Sequence, residues 1–297
     1  MAPLNFHQLR IFLSVAKHKS FSKAAQELYI SQPAVSIQVK ELEEHYDVSL
    51  LQRSGRKVVL TDIGETVYHY AQQIFSLDQD MEAAINDFKG LARGHLVIGA
   101  STTIGEYLLP EALGRFKERY PGIDVELEIA NTSQIIERVR QHQVDIGFIG
   151  DEIQAQDLEV KPYMLDEIVV VTSPQNHLSQ AGPVSTDALR EEKFLIREDG
   201  SATRSVTDRC LSKLGFKPKV AMELGSTEAL KRAVAANLGI AMLSKHSIAI
   251  EVSCGLLKIA NVSNLDCRRP FSIIYRKNKV LSRAEKAFLG VVTLQPE

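Results

Sequence analysis

The sequence has no apolar run long enough to cross a membrane and no recognisable export signal. Its hydrophobic stretches all fall short of the ~20 residues that a membrane-spanning helix needs, although 44% of its 297 residues are hydrophobic. The first eight residues contain neither a basic start nor an apolar signal core. We therefore expect a cytoplasmic protein of two or three domains, with no membrane partner.

Cysteine and histidine give no sign of a metal centre or of a disulfide framework. The three cysteines, Cys210, Cys254 and Cys267, are odd in number and form no Cys-x-x-Cys pair, and the eight histidines lack ligand spacing. We expect buried, reduced thiols and neither a metal nor another cofactor. A redox-sensing pair of Cys254 with Cys267 is the alternative, supported only by the two arginines that follow Cys267.

The common motifs of catalysis are also missing. The sequence contains no Gly-x-Ser-x-Gly elbow, phosphate-binding loop or dinucleotide fingerprint, which disfavours an enzyme. A net charge of −2 argues against a general nucleic-acid coat protein. Residues 1–62 are nevertheless basic, with eight Lys or Arg against six Asp or Glu, which is enough for a specific DNA-binding domain.

Residues 20–44 predict two short helices joined by a tight turn. Ser20 and Ser31 are suitable N-caps, and Pro33 falls in the first turn of the second helix, where a missing N–H costs nothing. Apolar residues recur at helical spacing on the inward faces: Ala24, Ala25, Leu28, Val35, Val39 and Leu42. An ordinary helical hairpin is the alternative to a helix-turn-helix.

The outer face of the second predicted helix suits contact with DNA bases. Amide, hydroxyl and methyl groups match base edges in the major groove, and this face carries Gln32, Ala34, Ser36, Ile37, Gln38 and Lys40. Residues 50–61 then predict a strand, a glycine turn and a strand, with Arg53, Arg56 and Lys57 placed for phosphate contact. A preceding amphipathic helix completes a winged helix-turn-helix.

Residues 4–62 resemble the DNA-binding domain of LysR-type transcriptional regulators. The matching motifs are Phe6-x-x-Leu9-x-x-Phe12, Ser20-Phe21-Ser22-x-Ala24-Ala25, Ser31-Gln32-Pro33-Ala34-Val35-Ser36, Leu42-Glu43, Leu50-Leu51-x-Arg53 and Leu60-Thr61-x-x-Gly64. The resemblance implies that Gln32, Pro33 and Ser36 touch DNA and that Arg56 grips the minor groove or its edge. Ile37 departs from the polar or basic side chain of many members and offers only apolar contact to a thymine methyl.

Residues 63–89 predict one long helix with an apolar stripe. The stripe advances by three or four residues without a proline: Ile63, Val67, Tyr70, Ile74, Leu77, Met81, Ile85 and Phe88. A lone helix would leave this stripe in water, so we expect it to pair with a second copy, and packing on its own chain is the alternative. The resemblance implies a homodimer or homotetramer on double-stranded DNA, with RNA polymerase as a further candidate partner.

After Gly94, short apolar strands alternate with amphipathic helices, a pattern that predicts a parallel-type α/β sheet. The predicted strands are Leu96–Ala100, Val125–Ile129, Ile146–Ile149, Ile168–Thr172, Phe194–Ile196, Val220–Leu224, Ile240–Leu243, Leu256–Ile259 and Phe271–Tyr275. The predicted helices are Tyr107–Tyr120, Ser133–Gln141, Thr203–Leu214, Glu228–Asn237 and one that starts at Ser282 with a capping box.

This pattern resembles the two-lobed, periplasmic-binding-protein-like effector domain of LysR-type regulators. The expected organisation is a winged helix-turn-helix at residues 1–62, a linker and dimerisation helix at 63–90 and an effector domain at 91–297. Its first lobe is expected at about residues 91–163 and 268–297, and its second at about 164–267. A solute-binding protein is the alternative for this half alone, but the winged domain and the missing export signal oppose it.

Four polar segments follow predicted strands and open predicted helices, where α/β folds bind ligands and where helix N–H groups attract anions. We predict one effector site from Ser101, Thr102, Thr103, Thr132, Ser133, Ser201, Thr203, Arg204 and Thr227. Helix capping is the alternative role for these hydroxyls. The Gly-Ser-x-Thr-Arg string at residues 200–204 resembles regulators of sulfur assimilation and carbon fixation, which implies a small anionic effector, with a sulfur metabolite as the first choice.

Overall fold

The computed structural model describes residues 4–54, 57–89, 94–180 and 182–293. The chain divides into two units, Met1–Ala83 and Ala84–Glu297. Among the described helices, none combines the length and the apolar character that crossing a membrane requires. The described residues also contain no group of three His, Cys, Asp or Glu side chains placed to hold a metal ion.

The N-terminal unit is the predicted winged helix-turn-helix. It consists of α1 (Phe6–His18), α2 (Phe21–Glu27), α3 (Gln32–Tyr46), the antiparallel strands β1 (Leu51–Ser54) and β2 (Lys57–Leu60), and the start of α4 (Asp62–Lys89). Both predicted serine caps are confirmed, because Ser20 Oγ accepts the Lys23 N–H and Ser31 Oγ accepts the Ala34 N–H, each at 3.3 Å. The inward alanines and valines form a buried core with α1.

Gly64, the third residue of α4, packs closely against the start of the hairpin. Thr61 Oγ1 donates to the Ser49 carbonyl at 2.7 Å and accepts the Gly64 N–H at 3.0 Å. This arrangement brings Gly64 against the backbone of Leu50, the residue before β1, where an added Cβ atom would lie 2.0 Å from the Leu50 carbonyl oxygen. The Leu-Thr-x-x-Gly string therefore fixes where α4 begins relative to the hairpin.

The C-terminal unit alternates strands and helices as expected. Its strands are β3 (Gly94–Ser101), β4 (Ile123–Ala130), β5 (Ile146–Ile149), β6 (Leu158–Thr172), β7 (Lys193–Arg197), β8 (Lys219–Leu224), β9 (Ala241–Ser244), β10 (Lys258–Ile259) and β11 (Arg268–Arg276). Its helices are α5 (Thr102–Tyr107), α6 (Leu109–Arg119), α7 (Thr132–Arg140), α8 (His177–Gln180), α9 (Ala202–Lys213), α10 (Thr227–Ala235), α11 (Lys245–Ser253) and α12 (Arg283–Thr293), with a 3-10 turn at Thr186–Glu191.

These elements form two lobes that share one long strand. In the first lobe the strand order is β4, β3, β5, β11 and residues 158–167 of β6. In the second lobe, residues 168–172 of β6 pair with β9 and β10, and an isolated bridge between Phe194 and Ile240 joins this group to the parallel pair β7 and β8. The long β6 and the returning β11 are thus the strands that connect the lobes.

The sheet is mixed, which corrects the prediction of a parallel-type sheet. β3, β4 and β5 are parallel, but β11 runs antiparallel to both β5 and β6. The reason is that β11 brings the chain back from the second lobe alongside the strand by which it left. The first ten residues of β6 were not predicted, because Pro162 interrupts their pattern. A register shift in β11 between Phe271 and Ser272 accommodates this proline.

Three helices of the C-terminal unit were not predicted: α5, α8 and α11. The helix expected at Tyr107–Tyr120 is α6, and α5 lies immediately before it. Pro110 lies in the first turn of α6, where its missing N–H is tolerated. The helix α11 was not predicted, because its apolar residues do not fall on one face. The capping box at the C-terminal helix is confirmed by reciprocal hydrogen bonds between Ser282 and Glu285.

The cysteines correct both sequence-based expectations. Cys210 on α9 and Cys267, which precedes β11, form a disulfide in the core of the second lobe, with Cα atoms 5.9 Å apart. Cys254 is free and exposed, so the suggested pairing of Cys254 with Cys267 is wrong. The local sequence gave no signal for the actual pair, because only the tertiary fold brings α9 beside the start of β11.

We expect Gly64→Ala to destabilise the protein by about 1–3 kcal/mol, since the added methyl group must displace the Leu50 backbone. Gly114→Ala is the matched control. Position 114 is exposed on α6 with no atom within 4 Å of an added Cβ, so alanine should stabilise its helix by about 0.5–1 kcal/mol. Urea unfolding followed by circular dichroism measures both. Equal stability of Gly64→Ala and the wild type would show that the backbone yields freely.

Candidate functional site

The outer face of α3 presents the predicted base-contacting residues together. Gln32, Pro33 and Lys40 are exposed, and Ala34, Ser36 and Gln38 are half-buried beside them. Gln32 Nε2 donates to Ser36 Oγ at 2.9 Å, and Gln38 Nε2 donates to Glu41 Oε2 at 3.0 Å. Ile37 is also exposed on this face. The surface therefore offers amide and hydroxyl groups around one apolar side chain, a mixture suited to base edges.

The hairpin after α3 carries the predicted wing cations. The register pairs Arg53 with Val58 and Ser54 with Lys57, so the backbones of Arg53 and Lys57 lie at the end of the hairpin where the chain passes from β1 to β2. Arg56, the third cation, lies outside the described residues. The lysine predicted at the end of the α3 surface, Lys40, is 3.3 Å from Glu44 in an exposed pair.

A polar cleft lies between the two lobes of the C-terminal unit. Its walls come from the first turns of α5, α7 and α9 and from the starts and ends of the neighbouring strands. Six predicted effector residues line it, together with four that were not predicted: Ser101, Thr102, Thr103, Thr132, Ser201 and Thr203 were predicted, and Asn131, Arg197, Ala202 and Arg269 were not.

Arg269 is the centre of this cleft and connects the lobes. Its Nε donates to Asp166 Oδ2 at 2.8 Å, and the two side chains are 1% and 0% exposed. Its Nη1 donates to Thr203 Oγ1 of the second lobe at 3.2 Å, and its Nη2 donates to Thr103 Oγ1 of the first lobe at 3.4 Å. Burial lowers the pKa of Arg269, but Asp166 opposes this decrease, so the guanidinium stays charged.

A second buried arginine, Arg197, lies at the end of β7. Its Nε and Nη2 donate to the two carboxylate oxygens of Glu198 at 2.7 and 2.9 Å, and its Nη1 donates to Thr227 Oγ1. Because a guanidinium can only donate, each threonine hydroxyl bonded to Arg197 or Arg269 must accept with its oxygen. The hydroxyl hydrogens of these threonines are therefore left to donate to another group.

Three hydroxyls in the cleft are not explained by helix capping. Ser101 and Ser201 precede α5 and α9, but neither side chain caps its helix. Thr132 is only 6% exposed, and its Oγ1 has no hydrogen-bond partner. In contrast, Asn131 and Ser226 do cap α7 and α10. An unsatisfied buried hydroxyl costs about 1–3 kcal/mol, which indicates a partner that binds in the cleft.

Three of the predicted effector residues do not line the cleft. The Arg204 guanidinium bonds to Asp208 Oδ2 at 2.7 Å and to the Arg197 carbonyl at 3.0 Å, so it does not supply the predicted charge. Ser133 is exposed and uses its N–H to reach the Gly200 carbonyl across the lobes at 3.4 Å. Thr227 is buried behind the cleft, where it holds Arg197. The guanidinium groups that line the cleft belong to Arg269 and Arg197 instead.

Two further side-chain contacts join the lobes beside the cleft. Arg209 on α9 binds both carboxylate oxygens of Asp151 in the first lobe, at 2.6 and 3.1 Å. Lys231 on α10 lies 5.2 Å from the ring centroid of Tyr107 on α5. Burial alone lowers the pKa of Lys231, but hydrogen bonds to Glu251 and Glu228 raise it above its ordinary value. The Lys231 ammonium therefore remains charged beside the tyrosine.

Comparison with known proteins agrees with both parts of the chain. Residues 6–65 match the model described as "Bacterial regulatory helix-turn-helix protein, lysR family". Residues 89–295 match the model of the LysR substrate binding domain. A probable RuBisCO transcriptional regulator of Synechocystis sp. is 38% identical over 299 residues, 99% of this chain and 87% of that protein. The transcriptional activator CmpR of the same organism is 36% identical over 297 residues, 100% of this chain and 97% of that protein.

Solved structures show the same architecture. A full-length OxyR variant from Pseudomonas aeruginosa superposes with a TM-score of 0.79 at 23% identity, covering 99% of this chain and 96% of that one. The CcmR regulatory domain from Synechocystis PCC6803, solved in complex with 2-PG, superposes with a TM-score of 0.64 at 30% identity, covering 68% and 96%. The chain belongs to the LysR family and is a transcriptional regulator, not an enzyme.

Proposed function

We propose that this regulator reads operator DNA with the outer face of α3 and responds to a small anion bound in the interlobe cleft. The observation that carries the effector proposal is the set of hydroxyl groups in the cleft that are free to donate. Arg269 and Arg197 donate to threonine oxygens, Ser101 and Ser201 are not engaged as caps, and Thr132 has no partner. Such a site favours a ligand rich in acceptors.

The similar proteins narrow the choice of effector. The regulators named for RuBisCO support the carbon-fixation side of the sequence resemblance, and the CcmR complex supports 2-PG as a probe. A sulfur metabolite is therefore no longer the first choice.

Thr132→Val should strengthen the fold and weaken effector binding. Removing the unpartnered hydroxyl should raise the free energy of unfolding by about 1 kcal/mol, and losing a donor to a bound anion should cost about 1–2 kcal/mol of affinity. Urea unfolding measures the first effect. Isothermal calorimetry with 2-PG, inorganic phosphate, neutral glycerol and cationic ethanolamine measures the second and the preference for anions.

Thr227→Val is the matched control for this experiment. The same substitution there removes an acceptor of buried Arg197 and should destabilise the protein. Unchanged 2-PG affinity in Thr132→Val would remove Thr132 from the site. Binding of glycerol or ethanolamine in preference to both anions would overturn the anionic effector.

For DNA, we expect Gln32→Ala to weaken operator binding by about 1–3 kcal/mol and to leave binding to a scrambled duplex nearly unchanged. The reason is that Gln32 is exposed at the start of α3, where a bidentate amide can read a base edge. Fluorescence anisotropy with a duplex from the protein's own promoter region measures both. Gln180→Ala, in the C-terminal unit, is the control. An equal loss on both duplexes would make Gln32 a phosphate contact only.

We also propose that α4 pairs with a second copy, giving a homodimer that can pair again as a homotetramer. In the structure, one part of the apolar stripe of α4 is packed and another part is exposed. Val67 and Ile74 pack on the core of the N-terminal unit, whereas Tyr70, Leu77 and Met81 remain exposed. Packing within one chain thus buries only part of the stripe, and we infer that a second copy of the chain covers the exposed part. The operator-binding role further implies a cytoplasmic location, with the DNA.

Leu77→Glu should convert the dimer to a monomer, because Leu77 is 64% exposed in the centre of the unpartnered stripe and a carboxylate there would be desolvated on pairing. Sedimentation equilibrium of the full chain measures the mass. Glu82→Gln changes the charge by one unit at an exposed position of α4 that lies about 140° around the helix from Leu77, and it should leave the dimer intact. A wild-type chain that sediments as a monomer would refute the pairing.

A further inference from the structure

The disulfide between Cys210 and Cys267 lies directly behind the effector cleft. Cys210 is in the third turn of α9, the helix whose first turn carries Ser201, Ala202 and Thr203 into the cleft. Cys267 is two residues before Arg269. The two sulfurs therefore join the helix that carries one wall of the cleft to the strand that carries its central guanidinium.

The disulfide and the hydrogen bond between Arg269 and Thr203 close a ring of covalent and hydrogen bonds. From Cys210 the chain runs seven residues back along α9, about 10 Å at 1.5 Å per residue, to Thr203. Thr203 Oγ1 accepts from Arg269 Nη1 at 3.2 Å, and two residues return from Arg269 to Cys267. Arg209, adjacent to Cys210, also holds Asp151 of the first lobe. The disulfide on one side of this ring therefore restricts how far Thr203 and Arg269 can separate on the other side.

We propose that Cys210 and Cys267 form a redox modification site that regulates the affinity of the cleft for its effector. This proposal rests on the effector-binding function proposed above. In the disulfide form, the start of α9 is held against Arg269 and the donor groups of the cleft are preorganised for an anion. When the pair is reduced, α9 and the start of β11 move independently, and the affinity for the anion falls.

The chemistry is thiol–disulfide exchange with a small disulfide such as oxidised glutathione. The Cys210 thiolate attacks that disulfide, because Cys210 is 9% exposed and Cys267 only 2%. One glutathione thiolate leaves and a mixed disulfide forms. The Cys267 thiolate then attacks the Cys210 sulfur and releases the second glutathione. Two protein thiols are oxidised, one small disulfide is reduced to two thiols, and the two protons pass through solvent. A dithiol reverses both steps.

A merely structural disulfide would act differently. Both sulfurs belong to the apolar core of the second lobe, so a staple would stabilise that lobe as a whole. A regulatory pair instead changes the segments that meet at Thr203 and Arg269 more than the rest of the lobe. The helix α10 provides the reference, since it lies in the same lobe but outside the ring and is capped independently by Ser226.

The test compares oxidised and dithiothreitol-reduced full-length protein by hydrogen exchange and by calorimetry with 2-PG. Reduction should raise exchange about tenfold in residues 201–206 and 268–271 and leave α10 unchanged. It should also weaken 2-PG binding about fivefold or more. Cys210→Ser should behave as the reduced protein and ignore dithiothreitol. Cys254→Ser, which changes the exposed free thiol, should keep the full response.

Three results would overturn the proposal: no change of exchange on reduction, an equal change in α10, or a pair that dithiothreitol cannot reduce in the native protein. The comparison of the two wild-type forms decides the matter even where Cys210→Ser fails to fold. If 2-PG binds neither form, the effector proposal fails alone, and the exchange pattern still accepts or rejects the redox site.

Discussion

The ion pair between Arg269 and Asp166 is the constraint on which the C-terminal unit depends. Both side chains are buried, and removing one partner of such a pair typically costs about 3–5 kcal/mol because the other charge is left uncompensated. Asp166 is also held by Ser244, whose Oγ donates to Oδ1 at 2.6 Å. The pair spans the two strands that connect the lobes, since Asp166 is on β6 and Arg269 on β11, and the register pairs these two residues directly. The buried charges therefore fix the crossing point.

That constraint also sets the polarity of the cleft. The charges of Arg269 and Arg197 are already balanced by Asp166 and Glu198, so the cleft does not attract anions by a net positive charge. What remains is a set of oriented donors: threonine hydroxyls that accept from Arg269 and keep a hydrogen to donate, and the first turns of α7 and α9. Fixed dipoles of this kind discriminate by geometry more than by charge. If the effector is an anion, as proposed above, the position of its oxygens relative to these donors decides its affinity more than its charge does.

The sequence predicted those features that depend on near neighbours. Ser20, Ser31 and Ser282 were correctly identified as caps, because a cap acts within three residues, and the long α4 followed from a stripe of constant period. Arg204 illustrates the limit of this reasoning. It stands at a helix start near the cleft, but the Asp208 carboxylate four residues later holds it elsewhere, and that i, i+4 spacing was visible in the sequence. Arg269 and the disulfide gave no such signal, because their partners are 103 and 57 residues away.

The contacts that close the lobes differ greatly in how strongly they resist opening. The Arg209–Asp151 pair has an arginine side chain that is half exposed, and exposed pairs contribute only about 0–1 kcal/mol. The backbone hydrogen bond from Ser133 to Gly200 is long at 3.4 Å. The buried pair at the crossing strands is much harder to break, and it lies at the connection between the lobes. Opening therefore breaks the outer contacts first and leaves Arg269 with Asp166. An anion that bridges both walls of the cleft needs a differential affinity of only a few kcal/mol to shift such an equilibrium. The buried pair between Arg269 and Asp166 thus holds the connection between the lobes, while the Arg209–Asp151 and Ser133–Gly200 contacts are weak enough for a bound effector to outweigh.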